Sequence, residues 1–271
     1  MSLNPSERPT PADLLAIALE VVRPAAEQVR RLRAEAVGEV SAKSTDTDVV
    51  TAADREVERQ LVAGLRQRRP HDLLLGEEYG AAGGGPSPTG VRWVIDPIDG
   101  TVNYLYGIPF YAVSVAAEVD GQVVAGVVLN AATGQEWTAT LGGGAWRQGR
   151  RLRGSSETRL SHALVGTGFA YHPERRAQQA RVVAELIPQV RDIRRLGAAA
   201  LDLCLAAEGV LDAYFERWLQ PWDLAAGALI AREAGLTVAG LSGAPPGEEM
   251  VLAAPPALFG PLHDRLAALR A

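Results

Sequence analysis

The sequence contains little cysteine and no excess of basic charge. Its one cysteine, Cys204, cannot form an internal disulfide, and a chain this poor in thiols is typical of a reducing compartment. The net charge is −5, and the arginines are scattered along the chain, so the basic footprint of a protein that binds a nucleic-acid backbone is missing. These absences exclude a disulfide scaffold and argue against nucleic acid as a substrate.

Long apolar segments are also absent. No uninterrupted apolar run approaches the length of a membrane-spanning helix, and the first residues lack the basic segment and apolar stretch of a secretory signal. We therefore expect a cytoplasmic protein with no membrane partner. At 271 residues and 47% hydrophobic composition, the chain is long enough to bury a full core.

The spacing of apolar residues predicts a mixed α/β fold with layered sheets and helices. Helical periodicity predicts helices over about 11–33 and 51–69, and β-like runs then predict strands at 73–75, 91–95, 111–119 and 123–129. Asp120-Gly121 indicates a hairpin turn between the last two strands, and the segment 83–88 indicates a surface loop. After about residue 155, strands and helices alternate. We expect two lobes, 1–155 and 156–271, that form one catalytic unit.

The most informative segment is WVIDPIDGT at 93–101, a hydrophobic strand that ends in carboxylates. Asp96 and Asp99 flank a proline that offers no backbone donor, so both carboxylates and the Ile98 carbonyl can converge on a hard cation. Gly100 and Thr101 follow at a predicted helix start, where backbone N–H groups suit a phosphate. The pattern therefore favours metal-assisted phosphate chemistry.

Further acids stand at the ends of other predicted elements, and each has a structural alternative. Glu77, with Glu78, follows a strand and could be a solvated turn residue. Asp223 begins a helix and could be only its N-cap, while Asp54 could be the distal member of a capping box with Thr51. None of these residues alone identifies a function.

Taken together, four motifs in order resemble the inositol monophosphatase family, which belongs to the lithium-sensitive, metal-dependent phosphatases. They are Lys43 before DVVTAAD at 48–54, GEE at 76–78, the block 93–103, and WDLAAG at 222–227. The resemblance spans nearly the whole chain. It implies an alternating αβαβα sandwich and a magnesium-dependent phosphatase for a small phosphorylated polyol, with inositol 1-phosphate as the leading substrate. It also implies a homodimer.

The resemblance assigns metal ligands to particular positions of this sequence. It implies that Glu77, Asp96 and the Ile98 carbonyl hold one magnesium ion. It implies that Asp96, Asp99 and Asp223 hold a second, and it allows a third, weaker ion near Glu77. The N-terminal lobe would thus carry most of the metal ligands.

Catalytic and substrate-binding roles follow from the same resemblance. Thr101, oriented by Asp54, would position the attacking water, and Glu77 completes the catalytic set. Lys43 would lie on a loop that covers the site. The substrate contacts implied are Asp99, Gly100, Thr101, Gly197, Ala198, Glu216 and Asp223.

Two positions depart from the family pattern, and several functions stay open. Gln148 precedes Gly149 where the family has an Asn-Gly turn, and we expect this change to affect only a hairpin. Ala198 follows Gly197 where the family has Ser or Thr, so a side-chain hydroxyl is missing and we expect weaker discrimination among polyols. The same metal motifs would serve a histidinol-phosphate, fructose-1,6-bisphosphate or 3′-phosphoadenosine phosphatase. A regulatory binding protein on the same fold is the alternative outside enzymes, and the intact set of acids argues against it.

Overall fold

The computed structural model describes residues 9–35, 40–42, 49–82, 87 and 89–271. Lys43 and most of the predicted 83–88 loop lie outside the described residues. Seven α-helices lie within them: α1 (Pro11–Glu35), α2 (Ala52–Arg68), α3 (Thr101–Tyr106), α4 (Pro173–Leu186), α5 (Ala199–Glu208), α6 (Pro221–Glu233) and α7 (Pro256–Ala268). No helix in this part of the chain is long and apolar enough to cross a bilayer.

Fifteen strands complete the described structure. They are β1 (Val40–Ala42), β2 (Val49–Thr51), β3 (Leu73–Gly76), β4 (Gly80–Ala82), β5 (Val91–Asp99), β6 (Ala112–Val119), β7 (Gln122–Asn130), β8 (Glu136–Thr140), β9 (Gly144–Arg147), β10 (Arg150–Arg151), β11 (Leu164–Thr167), β12 (Asp192–Arg194), β13 (Ala213–Glu216), β14 (Thr237–Ala239) and β15 (Val251–Ala254).

The strands form two main sheets. The first has eight strands in the order β10-β9-β8-β7-β6-β5-β3-β4, and only β3 and β5 run parallel in it. The second has five strands in the order β12-β11-β13-β15-β14, with β11 parallel to both of its neighbours. A small antiparallel pair joins β1 to β2.

Helices cover both faces of both sheets, which gives five layers. Helices α1 and α2 bury one apolar face against the first sheet. Helices α5 and α6 lie between the two sheets, and α4 and α7 pack on the outer face of the second sheet. The predicted mixed α/β sandwich of the αβαβα type is confirmed.

The inner helical layer is closely packed because it is built from small residues. A Cβ added at Gly126 of β7 would come within 3.0 Å of the Cα of Ala226 in α6, so the sheet and the helix nearly touch. Helices that are apolar on all sides are typical of a protein interior. Cys204 of α5 is fully buried in this layer, and burial raises the pKa of its thiol well above the usual range.

Strand β5 is longer than the sequence pattern predicts. It continues through Pro97 to Asp99, with a shift in its pairing to β6 between Asp96 and Asp99. A proline cannot donate to the ladder, and such positions in a sheet are typically irregular or bulged. The irregularity leaves both carboxylates at the end of a central, buried strand.

Hairpins form much of the first sheet, and two of them were expected, the Asp120-Gly121 turn from its sequence and the Gln148-Gly149 turn from the family resemblance. Asp120 and Gly121 have φ values of 50° and 82° and join β6 to β7, as predicted. Strands β8 to β10 were not predicted because they are short and interrupted by glycine. Gln148 and Gly149, with φ values of 47° and 81°, form the tight turn between β9 and β10.

A buried carboxylate holds the start of β5 in place. Asp72 accepts hydrogen bonds from Arg69 Nε at 2.8 Å, Thr89 Oγ1 at 2.6 Å and Trp93 Nε1 at 2.9 Å. Asp72 is only 4% exposed, and Trp93 is fully buried. Removal of the carboxylate would leave buried donors without an acceptor.

We therefore expect Asp72→Ala to lower the free energy of unfolding by about 2–4 kcal/mol, as measured by urea denaturation. The matched control is Asp264→Asn, whose carboxylate is 83% exposed and which should change stability by less than about 0.5 kcal/mol. Equal stability of the two variants would show that the Asp72 network contributes nothing.

Candidate metal centre and active site

A cavity of about 590 Å³ lies where β3 and β5 end, and residues from both main sheets line it. This volume is in the range of small-molecule sites. In the parallel pairing of β3 with β5, Gly76 lies opposite Ile95, so the next residues, Glu77 and Asp96, emerge side by side. The register of two strands thus brings two acids to one edge of the sheet.

Three carboxylates meet at one point of this cavity. Asp96, Asp99 and Asp223 each place an oxygen within 4.8 Å of the others, and Glu77 lines the same cavity outside this group. Asp96 is 1% exposed, and its Oδ1 atom has no hydrogen-bond partner among the described residues. Buried oxygens of this kind suit a hard divalent cation, which would offset their repulsion.

The electrostatics of the group favour neutral carboxyls when no cation is bound. Burial raises the pKa of Asp96 well above its usual range, and repulsion from Glu77 and Asp99 raises it further. Burial raises the pKa of Asp99 to about 7, although backbone hydrogen bonds oppose the shift. Burial and Glu77 also raise the pKa of Asp223. Proton binding to this group therefore competes with cation binding, which needs ionised carboxylates.

Backbone N–H groups at two helix starts hold two of these carboxylates. Ala199 and Ala200, in the first turn of α5, donate to Asp99 at 3.2 and 2.8 Å. In α6, Asp223 is the third residue rather than the N-cap, and its Oδ2 accepts the Gln220 N–H at 2.6 Å in a capping box. This capping contact does not prevent Asp223 from binding a metal ion, because a carboxylate offers about four lone-pair sites.

Glu58 supports the turn that carries Glu77, and sequence analysis missed it. The buried Glu58 carboxylate accepts the N–H groups of Glu78 at 2.8 Å and Tyr79 at 3.1 Å. A Cβ at Gly76 would lie 1.9 Å from Glu58 Oε1, so only glycine fits there. Glu58 lies four residues after Asp54 on one buried face of α2, and this spacing was the signal available in the sequence.

Thr101, Gly100 and Asp54 also lie near the carboxylate group. The Thr101 hydroxyl donates to the Ile98 carbonyl at 3.1 Å, and both residues line the cavity. Gly100 is the N-cap of α3, with a φ of 86° that favours glycine. Asp54, the third residue of α2, is 1% exposed and close enough for its charge to raise the pKa of Asp96. The predicted pairing of Asp54 with Thr101 stays a prediction.

Of the two predicted substrate contacts at the start of α5, Gly197 lines the cavity and Ala198 does not. Gly197, with a φ of 95°, lines the cavity, and so does Ala199. Ala198 is buried behind the wall, where its Cβ packs on Gly100. A side chain at position 198 therefore acts mainly through the position of Gly100 and the α5 start.

Glu216 lines the cavity and lies against Gly168. A Cβ at Gly168 would be 2.0 Å from Glu216 Oε2, so this glycine makes room for the carboxylate. The Tyr214 hydroxyl donates to the same oxygen. Burial raises the pKa of Glu216 to about 7, while Tyr214 and Arg195 lower it. Glu216 can therefore accept or donate a hydrogen bond near neutral pH.

Four further lining residues were not predicted: Arg175, Arg195, Arg217 and Trp218. They lie on α4 and on the segments that follow β12 and β13. Arginines are frequent along the whole chain, so no sequence spacing distinguished these. Trp218 has a φ of 66°, which is unusual for a bulky side chain.

Known proteins of similar sequence and structure define the class of this enzyme. An inositol-1-monophosphatase of Mycobacterium leprae is 51% identical over 247 residues, 84% of each chain. The structure of Mycobacterium tuberculosis SuhB matches with a TM-score of 0.82 and 44% identity, over 96% of this chain and 98% of that one. A Nus factor SuhB of Pseudomonas aeruginosa is 40% identical over 237 residues, 85% of this chain and 86% of its own. The protein is a phosphatase.

Within the phosphatases, the comparison with protein families also identifies the family of this chain. The profile of the inositol monophosphatase family matches residues 10–270, which is nearly the whole chain. The chain belongs to the inositol monophosphatase family. The resemblance carried by the four sequence motifs is thereby confirmed.

We expect Glu58→Gln to weaken the apparent affinity for magnesium by about 10–100-fold, because loss of a partner that orients a ligand-bearing turn has effects of that size. The measurements are the magnesium dependence of activity and the magnesium-induced shift in Tm. Glu56→Gln is the control, since Glu56 lies on the same helix but is 41% exposed and pairs with Arg59. Identical magnesium dependence in both variants would show that Glu58 does not position the turn that carries Glu77.

The raised pKa of Asp99 predicts an unusual pH dependence of stability. Between the ordinary value of 3.8 and about 7, the folded state binds more protons than the unfolded state. The free energy of unfolding of the cation-free protein should therefore fall as pH rises through that window. Thermal unfolding in excess EDTA should show this fall. Asp99→Asn should make it shallower without abolishing it, because the pKa values of Asp96, Glu216 and Asp223 are also raised. Magnesium should raise Tm more at about pH 8 than at about pH 5. A Tm that rises steadily with pH in EDTA would contradict the prediction.

Proposed function

We propose that the protein is a magnesium-dependent phosphomonoesterase that hydrolyses inositol 1-phosphate to inositol and phosphate. The observation that carries this proposal is the meeting of Asp96, Asp99 and Asp223 within 4.8 Å at the end of a central strand. The name of the Mycobacterium leprae relative supports the choice of substrate.

The residues present fit magnesium, because their donor atoms are oxygens. Glu77, Asp96 and the Ile98 carbonyl would hold one ion, and Asp96 would share a second with Asp99 and Asp223. When bound, the ions neutralise the charge of a phosphate monoester and lower the pKa of the attacking water. A third, weaker ion near Glu77 belongs to the same proposal.

The protein's own groups then orient the reactants. Thr101, with Asp54 behind it, positions a water for in-line attack on phosphorus, and the backbone N–H groups at Gly100 and Thr101 contact the phosphate oxygens. As the bond from water to phosphorus forms, the bond to the inositol oxygen breaks. That oxygen takes up one proton of the attacking water and leaves as the inositol hydroxyl, while the other proton of the water stays on the released phosphate.

The wall opposite the phosphate selects the alcohol. Glu216 accepts hydrogen bonds from ring hydroxyls, while the Gly197 backbone contacts the rest of the alcohol. Because the Ala198 side chain is buried behind the cavity wall, we propose that its missing hydroxyl weakens discrimination among polyols only indirectly, through the position of Gly100 and the start of α5. Histidinol phosphate, fructose 1,6-bisphosphate and 3′-phosphoadenosine nucleotides are the competing substrates for a phosphate-release screen.

A regulatory role is the second candidate, and one observation favours it. A relative of 40% identity is named Nus factor SuhB rather than a phosphatase. A pure binding protein, however, has no chemical need for three converging buried carboxylates, so we place the regulatory role second.

The assembly and location of the protein remain part of the proposal. We propose a homodimer in the cytoplasm. Tyr106 and Ile108 are exposed apolar side chains two positions apart, 80% and 49% exposed, and we propose that a second copy covers them. Sedimentation of the purified protein would distinguish dimer from monomer.

We expect phosphate release from inositol 1-phosphate to require magnesium, to stop in excess EDTA, and to be inhibited by lithium as in the family. Asp96→Asn and Asp223→Asn should each lower kcat by several orders of magnitude, because each removes a charged ligand. Asp264→Asn, on the exposed surface, should retain wild-type kcat. Full activity in EDTA, or in both cavity variants, would refute the proposed mechanism.

A further inference from the structure

The cavity is lined by arginines as well as by acids. Three of its acids, Glu77, Asp96 and Asp99, lie at the ends of two strands of the first sheet, and Glu216 belongs to the second sheet. The residues that we name the arginine mouth come from α4 and from the segments that follow β12 and β13. They are Arg175, Arg195, Arg217 and Trp218. One further arginine, Arg55 of α2, lines the same cavity.

Trp218 holds two of these guanidinium groups. The Cζ atoms of Arg175 and Arg217 lie 5.0 and 4.6 Å from the centroid of its indole. The backbone φ of Trp218 is 66°, which is costly for a bulky residue. Its backbone N–H donates to the Glu248 carbonyl at 2.6 Å. Costly backbone conformations persist mainly at functional sites, where the surroundings impose them.

The fold offsets the charge of the arginine mouth only in part, because Arg195 lies close enough to Glu216 to lower the pKa of that carboxyl. Arg175 and Arg195 form no ion pair with any residue that the structure describes. Arg217 donates to the Glu249 carbonyl at 3.0 Å and reaches its carboxylate at 3.4 Å, but that carboxylate is 91% exposed. A guanidinium that packs on an aromatic face keeps the N–H groups at its edge available to an anion.

We propose that the arginine mouth is a second anion-binding subsite, which takes a phosphate or carboxylate group of the substrate other than the phosphate that is cleaved. This inference rests on the proposed function, because it concerns the same cavity and the same phosphatase reaction. Inositol 1-phosphate has only hydroxyls to offer there and leaves the subsite empty. The substrate class that fills both sites is a phosphate monoester with a second anionic group, such as a polyol or sugar bisphosphate.

The subsite can be tested without catalysis. In excess EDTA no divalent cation is bound, so calorimetric titration with inorganic phosphate measures anion binding by the residues of the cavity itself, and comparison of two arginine variants assigns the part that depends on Arg175. We expect one saturable site in the wild type and at least about tenfold weaker binding in Arg175→Gln, which removes a charge-assisted contact. Arg176→Gln is the matched control, because Arg176 is the next residue of α4 and is exposed outside the cavity. Equal phosphate binding in Arg175→Gln and Arg176→Gln overturns the proposal.

Kinetics with magnesium give a second measurement. Fructose 1,6-bisphosphate and fructose 1-phosphate present the same phosphate for cleavage and differ in the second anion. We expect the ratio of their kcat/KM values to exceed about ten in the wild type and in Arg176→Gln, and to fall toward one in Arg175→Gln through a higher KM for the bisphosphate.

The outcomes separate this inference from the proposed function. If the wild type hydrolyses inositol 1-phosphate but Arg175→Gln changes neither phosphate binding nor the bisphosphate ratio, the subsite is refuted and the proposed function stands. If no inositol phosphate is hydrolysed, while phosphate binding in EDTA still depends on Arg175, the subsite stands and the proposed function fails.

Discussion

Repulsion between buried carboxylates at the end of β5 is the constraint on which the site depends. Asp96, Asp99 and Asp223 would drive one another apart or take up protons if nothing held them. The fold opposes this with fixed backbone N–H groups, at the α5 start for Asp99 and at the α6 start for Asp223. The partial positive charge of a helix N-terminus suits a carboxylate. The remaining repulsion is what a divalent cation relieves.

The inner helical layer connects this constraint to the rest of the molecule. Helices α5 and α6 fill the space between the two sheets, and both begin at the cavity. Their small residues let β7 approach α6 closely, which fixes the distance between the sheets. Acids at the end of the first sheet and Glu216 of the second sheet therefore line one cavity.

Sequence reasoning succeeded where the determinants are local. The apolar run before Asp96 predicted a central strand that ends in acids, and helical periodicity placed α1 and α2 within two residues of their ends. It failed where contacts are distant. Asp99 caps a helix that begins one hundred residues later, and the need for glycine at 168 arises only because Glu216 lies against it. No local pattern encodes such contacts.

Buried Cys204 gives the inner layer a chemical property of its own. A thiol reacts as its thiolate, and this thiol is both fully enclosed and kept protonated by its surroundings. An alkylating reagent can therefore reach it only when α5 separates from its neighbours. The first turn of α5 is anchored to Asp99. The rate at which Cys204 is labelled therefore measures how often α5 moves away from the carboxylate group of the cavity.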